Sequence, residues 1–236
     1  MGTTSFVSDA DSPMLRRPLH VRRLGEMDYD DAHDLQSELL QQRIAGQIPD
    51  TLLLLEHPPV ITLGRAAKQT HILRPASELA ANAVPIREIG RGGDVTYHGP
   101  GQLVVYPIID LKPDRKDVRR YVWSLEEIMI RVASRYGLQA GREAGLNGAW
   151  IGTNKLGAVG VRIRQWVTMH GFALNVCTDL SHFSWIVPCG IQDRGVTSLS
   201  TETGRTVDLK TVEGQVVEEV CALWGYTTET DPASDT

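Results

Sequence analysis

The spacing of apolar residues predicts three amphipathic helices. Apolar side chains recur three and four positions apart between Tyr29 and Ile44, over residues 118–136 and over residues 212–224. That spacing places the apolar side chains on one face of a helix. Gly46 and Gly137 stand where the first two helices are expected to end.

Shorter apolar runs predict strands between these helices. Six such runs occur, at residues 52–55, 60–63, 103–109, 149–151, 156–164 and 167–176. The last three are separated by short turns, which is typical of antiparallel strands. Helices and hairpins mix without a regular βαβ alternation. The sequence therefore predicts an α/β (α+β) fold with a mixed, largely antiparallel sheet flanked by helices, and not a doubly wound sheet.

Composition is even over most of the 236 residues. We expect one catalytic domain at residues 19–226, because no low-complexity linker divides this block. Residues 1–18 and 227–236 are rich in small polar and acidic residues, and we expect them to be flexible tails. The three cysteines are odd in number and lack a Cys-x-x-Cys pair, and residues 1–18 have no apolar secretory core. Both features favour a cytoplasmic protein with free thiols.

Charge and motif content narrow the chemistry. The formal net charge is −5, which disfavours nucleic acid as a partner. No apolar run approaches the length of a membrane span. The phosphate-binding loop, the dinucleotide fingerprint, the Gly-x-Ser-x-Gly elbow and the His-Glu-x-x-His motif do not occur, and the seven histidines show no metal-ligand spacing. We therefore expect neither a nucleotide cofactor nor a metal.

A glycine-rich stretch at residues 91–102 is the first candidate for a binding site. Glycines at four positions allow a backbone to approach a ligand closely, and polar residues stand between them. Backbone N–H groups of Gly92 and Gly93, or of Gly190, are candidate donors to an oxyanion. A glycine-rich hairpin that only turns the chain is an equally good interpretation of the pattern alone.

Cys189 is the candidate nucleophile. It lies between Pro188, which fixes the backbone, and Gly190, which leaves the thiol accessible. A buried structural cysteine is the alternative. Cys177 and Cys221 fit that alternative better, because one ends a predicted strand and the other lies on the apolar face of the last helix.

Lys155 and Gly171 mark two further positions on predicted strands. Strand parity places Lys155 on the same, less polar face as Val159 and Val161. The alternative is a solvated lysine in a hairpin. Gly171 interrupts a predicted strand, and a strand glycine often marks the close approach of a ligand or another backbone.

Together these stretches resemble the octanoyl-acyl carrier protein:protein N-octanoyltransferases, the lipoyl(octanoyl) transferases of lipoate biosynthesis. The family pattern Arg-Gly-Gly-x-x-Thr-aromatic-His-x-x-Gly-Gln is matched by residues 91–102. Gly-Val-Arg at 160–162, His-Gly-Phe-Ala-Leu-Asn at 170–175 and Pro-Cys-Gly-Ile at 188–191 match in the same order. The resemblance covers about residues 20–224.

The resemblance implies a fold similar to the catalytic domain of biotin and lipoate protein ligases. It implies an acyltransferase that moves an octanoyl group from octanoyl-acyl carrier protein to a lysine, through a cysteine thioester. The implied acceptors are lipoyl domains of 2-oxoacid dehydrogenase E2 subunits and the glycine cleavage H protein. Neither a cofactor nor a metal is implied, and neither nucleic acid nor a membrane is a partner.

The resemblance also implies the roles of individual residues. By motif, Cys189 is similar to the family's acyl-thioester nucleophile and Lys155 to its activating partner. The implied substrate-binding residues are Arg91, Gly92, Gly93, Asp94, Val95, Thr96, Tyr97, His98, Ala158, Val159, Gly160, Gly171, Phe172 and Ala173.

Two other functions fit the same fold. An ATP-dependent lipoate or biotin protein ligase would form an acyl-adenylate and would need no nucleophilic cysteine. A non-catalytic module that binds an acyl carrier would need neither Cys189 nor Lys155. Mutation of Cys189 and acyl transfer from the carrier distinguish the three functions.

Overall fold

The computed structural model describes residues 17–113, 116–187 and 194–229. Its strands are β1 (Arg17–Glu26), β2 (Asp50–Glu56), β3 (Val60–Leu63), β4 (Ile86–Glu88), β5 (Val95–His98), β6 (Gln102–Ile108), β7 (Gly141–Glu143), β8 (Leu146–Ile151), β9 (Asn154–Arg164), β10 (Val167–Asn175), β11 (Gly195–Val196) and β12 (Tyr226–Glu229). Its helices are α1 (Tyr29–Ile44), α2 (Ala76–Ala81), α3 (Val118–Ser134), α4 (Leu199–Thr203) and α5 (Leu209–Trp224), with short 3₁₀ helices at Gln69–His71 and Leu180–Trp185. Cys189 lies outside the described residues.

Within the described ranges, nine strands form one mixed sheet. The order is β12-β1-β2-β6-β10-β9-β8-β7, and β11 pairs with β9. Pairing is parallel where β1 meets β12 and β2 and where β11 meets β9, and it is antiparallel elsewhere. A smaller sheet has the order β4-β3-β5. The predicted fold class is confirmed.

The three amphipathic helices form where the periodicity predicts them. Each begins after an aspartate whose side chain accepts a backbone N–H of the first turn, at Asp28, Asp117 and Asp208. Such caps satisfy donors that the helix itself leaves unpaired. Helices α3 and α5 cover one face of the sheet and α1 covers the other. No helix in the described ranges has both the length and the apolar character that a bilayer crossing requires.

The core explains the unbroken apolar run in β2. Leu52 and Leu54 pack in the cluster beneath α3 and α5, whereas Leu53 and Leu55 pack in the cluster beneath α1. All four leucines are fully buried. A strand that is covered on both faces has no need of alternating polar residues.

Pairing at the sheet edge moves the expected tail boundaries. Residues 17 and 18 were expected in the first tail and residues 227–229 in the second, but they form β1 and β12, which pair in parallel. Tyr226, fully buried, anchors the second of these strands. The backbone hydrogen bonds of the pair outweigh the polar composition that suggested flexible ends.

Gly171 does not interrupt its strand, because β10 is continuous from Val167 to Asn175. A Cβ atom at Gly171 would collide with the Val105 carbonyl oxygen and would lie 2.6 Å from Pro107 Cδ. We therefore expect Gly171→Ala to lower the free energy of unfolding by about 1–3 kcal/mol. Urea unfolding measures the change.

Gly214→Ala is the matched control for this substitution. Gly214 lies within α5, and a Cβ atom there has no neighbour within 4 Å. Alanine at that position should raise stability by about 0.5–1 kcal/mol. Equal effects at the two glycines would contradict the steric explanation for Gly171.

Candidate active site

Small residues form a groove on the sheet face that carries α1. Ala158 of β9 stands opposite Ala173 of β10, and Gly160 stands opposite Gly171. Paired residues of antiparallel strands share a face, so the groove follows both strands. The short side chains of Ala158 and Ala173 leave room on this face of the sheet for a narrow apolar ligand.

The glycine-rich stretch covers this groove. The cavity between them, here called the central pocket, has a volume of about 510 Å³, part of it open to solvent. Thr96 and His98 reach the pocket from β5, and Arg91 crosses above Gly160. The Arg91 guanidinium is buried and donates to Thr62 O at 2.9 Å and to Gly92 O at 3.0 Å.

All but two of the predicted substrate-binding residues line the central pocket. Those that line it are Arg91, Gly93, Asp94, Val95, Thr96, His98, Ala158, Val159, Gly160, Gly171, Phe172 and Ala173. Three separated sequence segments are thus brought to one cavity. The two exceptions are Gly92 and Tyr97.

Tyr97 faces away from the central pocket. Side chains alternate along β5, so Tyr97 lies on the face opposite Thr96 and His98. Its ring stacks on His182 at 5.1 Å and meets Phe183 edge-on at 5.4 Å. Tyr97 therefore supports the 3₁₀ helix Leu180–Trp185.

Gly92 lies in a wider cleft next to the central pocket, here called the outer cleft. Its N–H donates to the Val161 carbonyl at 3.1 Å. That hydrogen bond already uses the donor, so the expectation that Gly92 donates to an oxyanion is wrong. Gly93 remains a candidate donor.

Lys155 lies where three cavities adjoin. It lines a small cavity of about 300 Å³, the lysine pocket, together with Thr96, Ala158 and Ala173 of the central pocket. It also lines the outer cleft, which has a volume of about 870 Å³ and shares Gly93 with the central pocket.

Lys155 is only 6% exposed, so the solvated-hairpin alternative does not apply. Its Nζ lies 4.7 Å from the centre of the Trp150 ring. That separation is within the range of a cation–π interaction, which holds the amine in place.

Both ends of the segment that contains Cys189 are fixed beside these cavities. Before it, Val187 N donates to His71 O at 2.8 Å, and His71 Nδ1 lies 2.7 Å from Asp94 Oδ2 in the glycine-rich stretch. After it, Val196 of β11 pairs with Lys155, and Thr197 N donates to Lys155 O at 2.9 Å. The chain therefore leaves the Cys189 segment alongside Lys155.

Five buried aromatic rings cluster at the part of the central pocket beneath α1, and the half-buried His33 ring lies beside two of them. The five are Tyr29, His57, His98, Tyr106 and His170, and neighbouring ring centres are 5.2–6.4 Å apart. All but His57 line the pocket directly. The rings come from α1, the turn after β2, and strands β5, β6 and β10.

The histidines of this cluster are neutral. Burial, followed by repulsion from His57, lowers the pKa of His98 to about 3. Burial, followed by repulsion from His33 and Arg91, lowers the pKa of His170 to about 3. Burial also lowers the pKa of His57. The cluster therefore supplies fixed hydrogen-bonding groups without charge at neutral pH.

Residues 28–221 match the lipoyl protein ligase A/B catalytic domain. The chain belongs to that family. It is 50% identical to the octanoyltransferase of Chloroflexus aggregans over 211 residues, which are 88% of this chain and 96% of the relative. The resemblance drawn from the motifs is confirmed: the chain groups with the octanoyltransferases, which are acyltransferases.

Solved structures support the same fold. The bipartite lipoate protein ligase in an archaeal lipoylation system from Thermoplasma acidophilum superposes with a TM-score of 0.65 at 16% identity, over 93% of this chain and 88% of that chain. The biotin protein ligase from Aquifex aeolicus in complex with biotin and ATP gives 0.55 at 16% identity, over 86% and 69%. The predicted likeness to biotin and lipoate ligase catalytic domains is confirmed for the fold.

The buried histidines predict how the stability of this family member depends on pH. The pKa of His98 is about 3 in the folded chain, and the ordinary histidine value is 6.5. Between these values the unfolded chain binds the proton more readily than the folded chain, so protonation of His98 favours unfolding. The neutral His98 therefore makes its full contribution to stability only above the ordinary pKa. That contribution is lost as the pH falls, at up to about 1.4 kcal/mol per pH unit.

Replacing His98 tests this dependence. Urea unfolding of the original chain should show a free energy of unfolding that falls between about pH 6 and 5. In His98→Gln the slope of this free energy against pH should be smaller by up to about 1.4 kcal/mol per pH unit. Glutamine can still donate to Gln102, the partner of His98 Nδ1 at 2.7 Å. Identical slopes for the two proteins would contradict a buried, neutral His98.

Tyr29, His57, Tyr106 and His170 were not predicted as site residues. No single motif contains all four, since each comes from a different element, although His170 begins the motif at residues 170–175. Side chains alternate between the two faces of a strand, so Tyr106 lies on the same face of β6 as Val104. That alternation is the one sequence signal that could have placed Tyr106 at the pocket. In the described part of the chain, no group of three acidic, histidine or cysteine side chains is arranged to hold a metal.

Proposed function

We propose that the chain transfers an octanoyl group from octanoyl-acyl carrier protein to a specific lysine of a lipoyl-domain protein, with Cys189 as the covalent carrier. One observation carries most weight. Strand β11, which follows the Cys189 segment, pairs directly with Lys155 at the place where the three cavities adjoin.

In the first half-reaction, the Cys189 thiolate attacks the carbonyl carbon of the donor thioester. The tetrahedral intermediate then expels the carrier's thiolate, and Lys155 supplies the proton that this sulfur takes up. An ammonium group beside the thiol favours its ionised form. One thioester is broken and one is made, so the exchange is nearly balanced in free energy.

In the second half-reaction, the amine of the acceptor lysine attacks the Cys189 thioester. An amide forms, the Cys189 thiolate leaves, and the amine proton passes to Lys155. The conversion of a thioester to an amide is downhill and needs no ATP. Two half-reactions at a single thiol predict ping-pong kinetics.

The central pocket is the proposed site for the octanoyl chain. The groove formed by Ala158, Gly160, Gly171 and Ala173 is narrow and apolar, with Val104 beside it. Each buried methylene contributes about 0.8 kcal/mol to binding. The other residues of the glycine-rich stretch that line the pocket would cover the octanoyl chain and hold it beneath Arg91.

The outer cleft is the proposed approach for both protein partners. It reaches Lys155 from the side of α3 and the β7–β8 hairpin, where Val122 and Leu146 line it. The proposed acceptors are lipoyl domains of 2-oxoacid dehydrogenase E2 subunits and the glycine cleavage H protein. The archaeal lipoylation system named above comprises a bipartite lipoate protein ligase and its E2 lipoyl domain.

Transfer without ATP tests the proposed function. The chain is incubated with octanoyl-acyl carrier protein and an unmodified lipoyl domain, and the lipoyl domain is weighed by mass spectrometry. We expect one octanoyl group per lipoyl domain without ATP, and none from free octanoate with ATP. The opposite pattern would assign the chain to the ATP-dependent ligases. A lipoyl domain that stays unmodified in both mixtures would favour a non-catalytic module.

A further inference from the structure

The central pocket becomes polar as it extends away from Lys155. Ala173 lines both the lysine pocket and the central pocket, and His170 precedes it by three residues in β10. A strand rises about 3.3 Å per residue, so the two positions are roughly 10 Å apart. An octanoyl chain whose carbonyl lies near Lys155 therefore extends toward His170. This orientation rests on the proposed function.

Tyr29 and His170 bring unused polar atoms to this far end. The two residues are 4% and 2% exposed. Among the described residues, neither Tyr29 Oη nor His170 Nε2 has a hydrogen-bond partner. A buried polar atom without a partner is costly, and such atoms inside a pocket point to a ligand that satisfies them.

The neighbouring rings are already committed to other partners. His57 Nδ1 lies 2.8 Å from the Met27 carbonyl, which can only accept, so this nitrogen carries the proton. His57 Nε2 then accepts from the Tyr106 hydroxyl at 2.8 Å. His98 Nδ1 likewise donates to Gln102 Oε1. These bonds hold the rings around Tyr29 and His170 in place.

The backbone also holds His170 in an unusual position. Its φ is +59°, in the left-handed region that few residues other than glycine adopt. The Gln36 side chain accepts the His170 N–H at 2.9 Å. Strain of this kind persists only where the surroundings fix it, and it occurs often at ligand sites. His170 is thus held with its imidazole on the pocket.

We propose that Tyr29 and His170 form a polar subsite at the far end of the central pocket, which accepts a hydroxyl group at the end of an octanoyl-length chain and rejects a longer alkyl chain. A hydroxyl can donate and accept at once, as a phenol and a neutral imidazole require. The methylenes of a longer chain would press against both polar atoms and exclude water from them.

A neutral group suits this subsite better than a carboxylate. The Arg91 guanidinium, the one cationic group among the described residues that line the pocket, is engaged by Thr62 and Gly92. A carboxylate would lose its hydration without gaining that guanidinium. Among ω-substituted chains, 8-hydroxyoctanoate should therefore bind more tightly than octanedioate.

Binding of free acids tests the subsite independently of catalysis. Titration calorimetry on the full chain compares octanoate, decanoate, 8-hydroxyoctanoate and octanedioate. The unaltered protein should bind 8-hydroxyoctanoate about tenfold more tightly than decanoate. The reverse order, or tightest binding of octanedioate, would overturn the proposal without any need for a variant.

Tyr29→Phe removes one hydroxyl and keeps the ring. It should weaken 8-hydroxyoctanoate relative to octanoate about tenfold and should strengthen decanoate relative to octanoate by a similar factor. Tyr136→Phe is the matched control, because Tyr136 Oη is also buried without a partner among the described residues but lies after α3, away from the pocket. Equal ratios in both variants would overturn the proposal.

Octanoyl transfer from the acyl carrier, measured beside the binding of the free acids, separates this proposal from the proposed function. If no octanoyl transfer is found but the free acids bind in the expected order, the subsite stands and the proposed function fails. If octanoyl is transferred but Tyr29→Phe changes neither ratio, the proposed function stands and the subsite fails.

Discussion

Replacing Cys189 with serine is expected to lower the rate of octanoyl transfer by about 10⁴-fold or more. A thiolate is a far better nucleophile than a neutral hydroxyl, and an octanoyl ester on serine would not pass readily to an amine. The rate of acceptor modification by octanoyl-acyl carrier protein, measured under saturating donor, gives the effect.

Cys177→Ser is the control for this substitution. Cys177 is exposed and is not the buried structural cysteine that the sequence suggested. Partial desolvation, together with the charges of Glu56 and Asp208, raises the pKa of its thiol, so that thiol is poorly suited to nucleophilic attack. Transfer should persist in Cys177→Ser. Persistence in Cys189→Ser would contradict the covalent mechanism and would agree with an adenylate-forming ligase.

Replacing Lys155 with methionine is expected to slow enzyme acylation by about 10²–10⁴-fold while leaving donor affinity nearly unchanged. Methionine fills a similar volume beside Trp150 but cannot favour the thiolate or carry a proton. Rapid-quench measurement of a single turnover separates the acylation rate from the donor dissociation constant.

Lys210→Met is the matched control, because Lys210 is an exposed residue of α5 remote from the three cavities. It should leave the single-turnover rate unchanged. Donor binding that weakens as much as the rate falls in Lys155→Met would show that Lys155 binds substrate and does not act in the chemistry.

The sequence predicts those features that local patterns determine. The three long helices and the strands around the central pocket follow from apolar spacing, because a side chain's face is set by its position within its own element. The pocket residues were identified by three motifs. The register of β9 and β10 brings two of those motifs together, with Gly160 opposite Gly171.

Other features depend on contacts between distant segments. The parallel pair β1–β12 joins the two ends of the domain, and no local sequence pattern predicts this pairing. The orientation of Tyr97 depends on where β5 begins inside the glycine-rich stretch. The ring cluster draws single residues from five elements, so that only the folded chain brings Tyr29 to His170.

Location of the acyl group on the enzyme tests the central claim most directly. The chain is mixed with octanoyl-acyl carrier protein in the absence of an acceptor, denatured under acid, weighed intact and then digested for peptide sequencing by mass spectrometry. We predict a mass gain of one octanoyl group, located on Cys189, which disappears when a lipoyl domain is added. An enzyme that transfers octanoyl but never carries it, or carries it on another residue, would contradict the account.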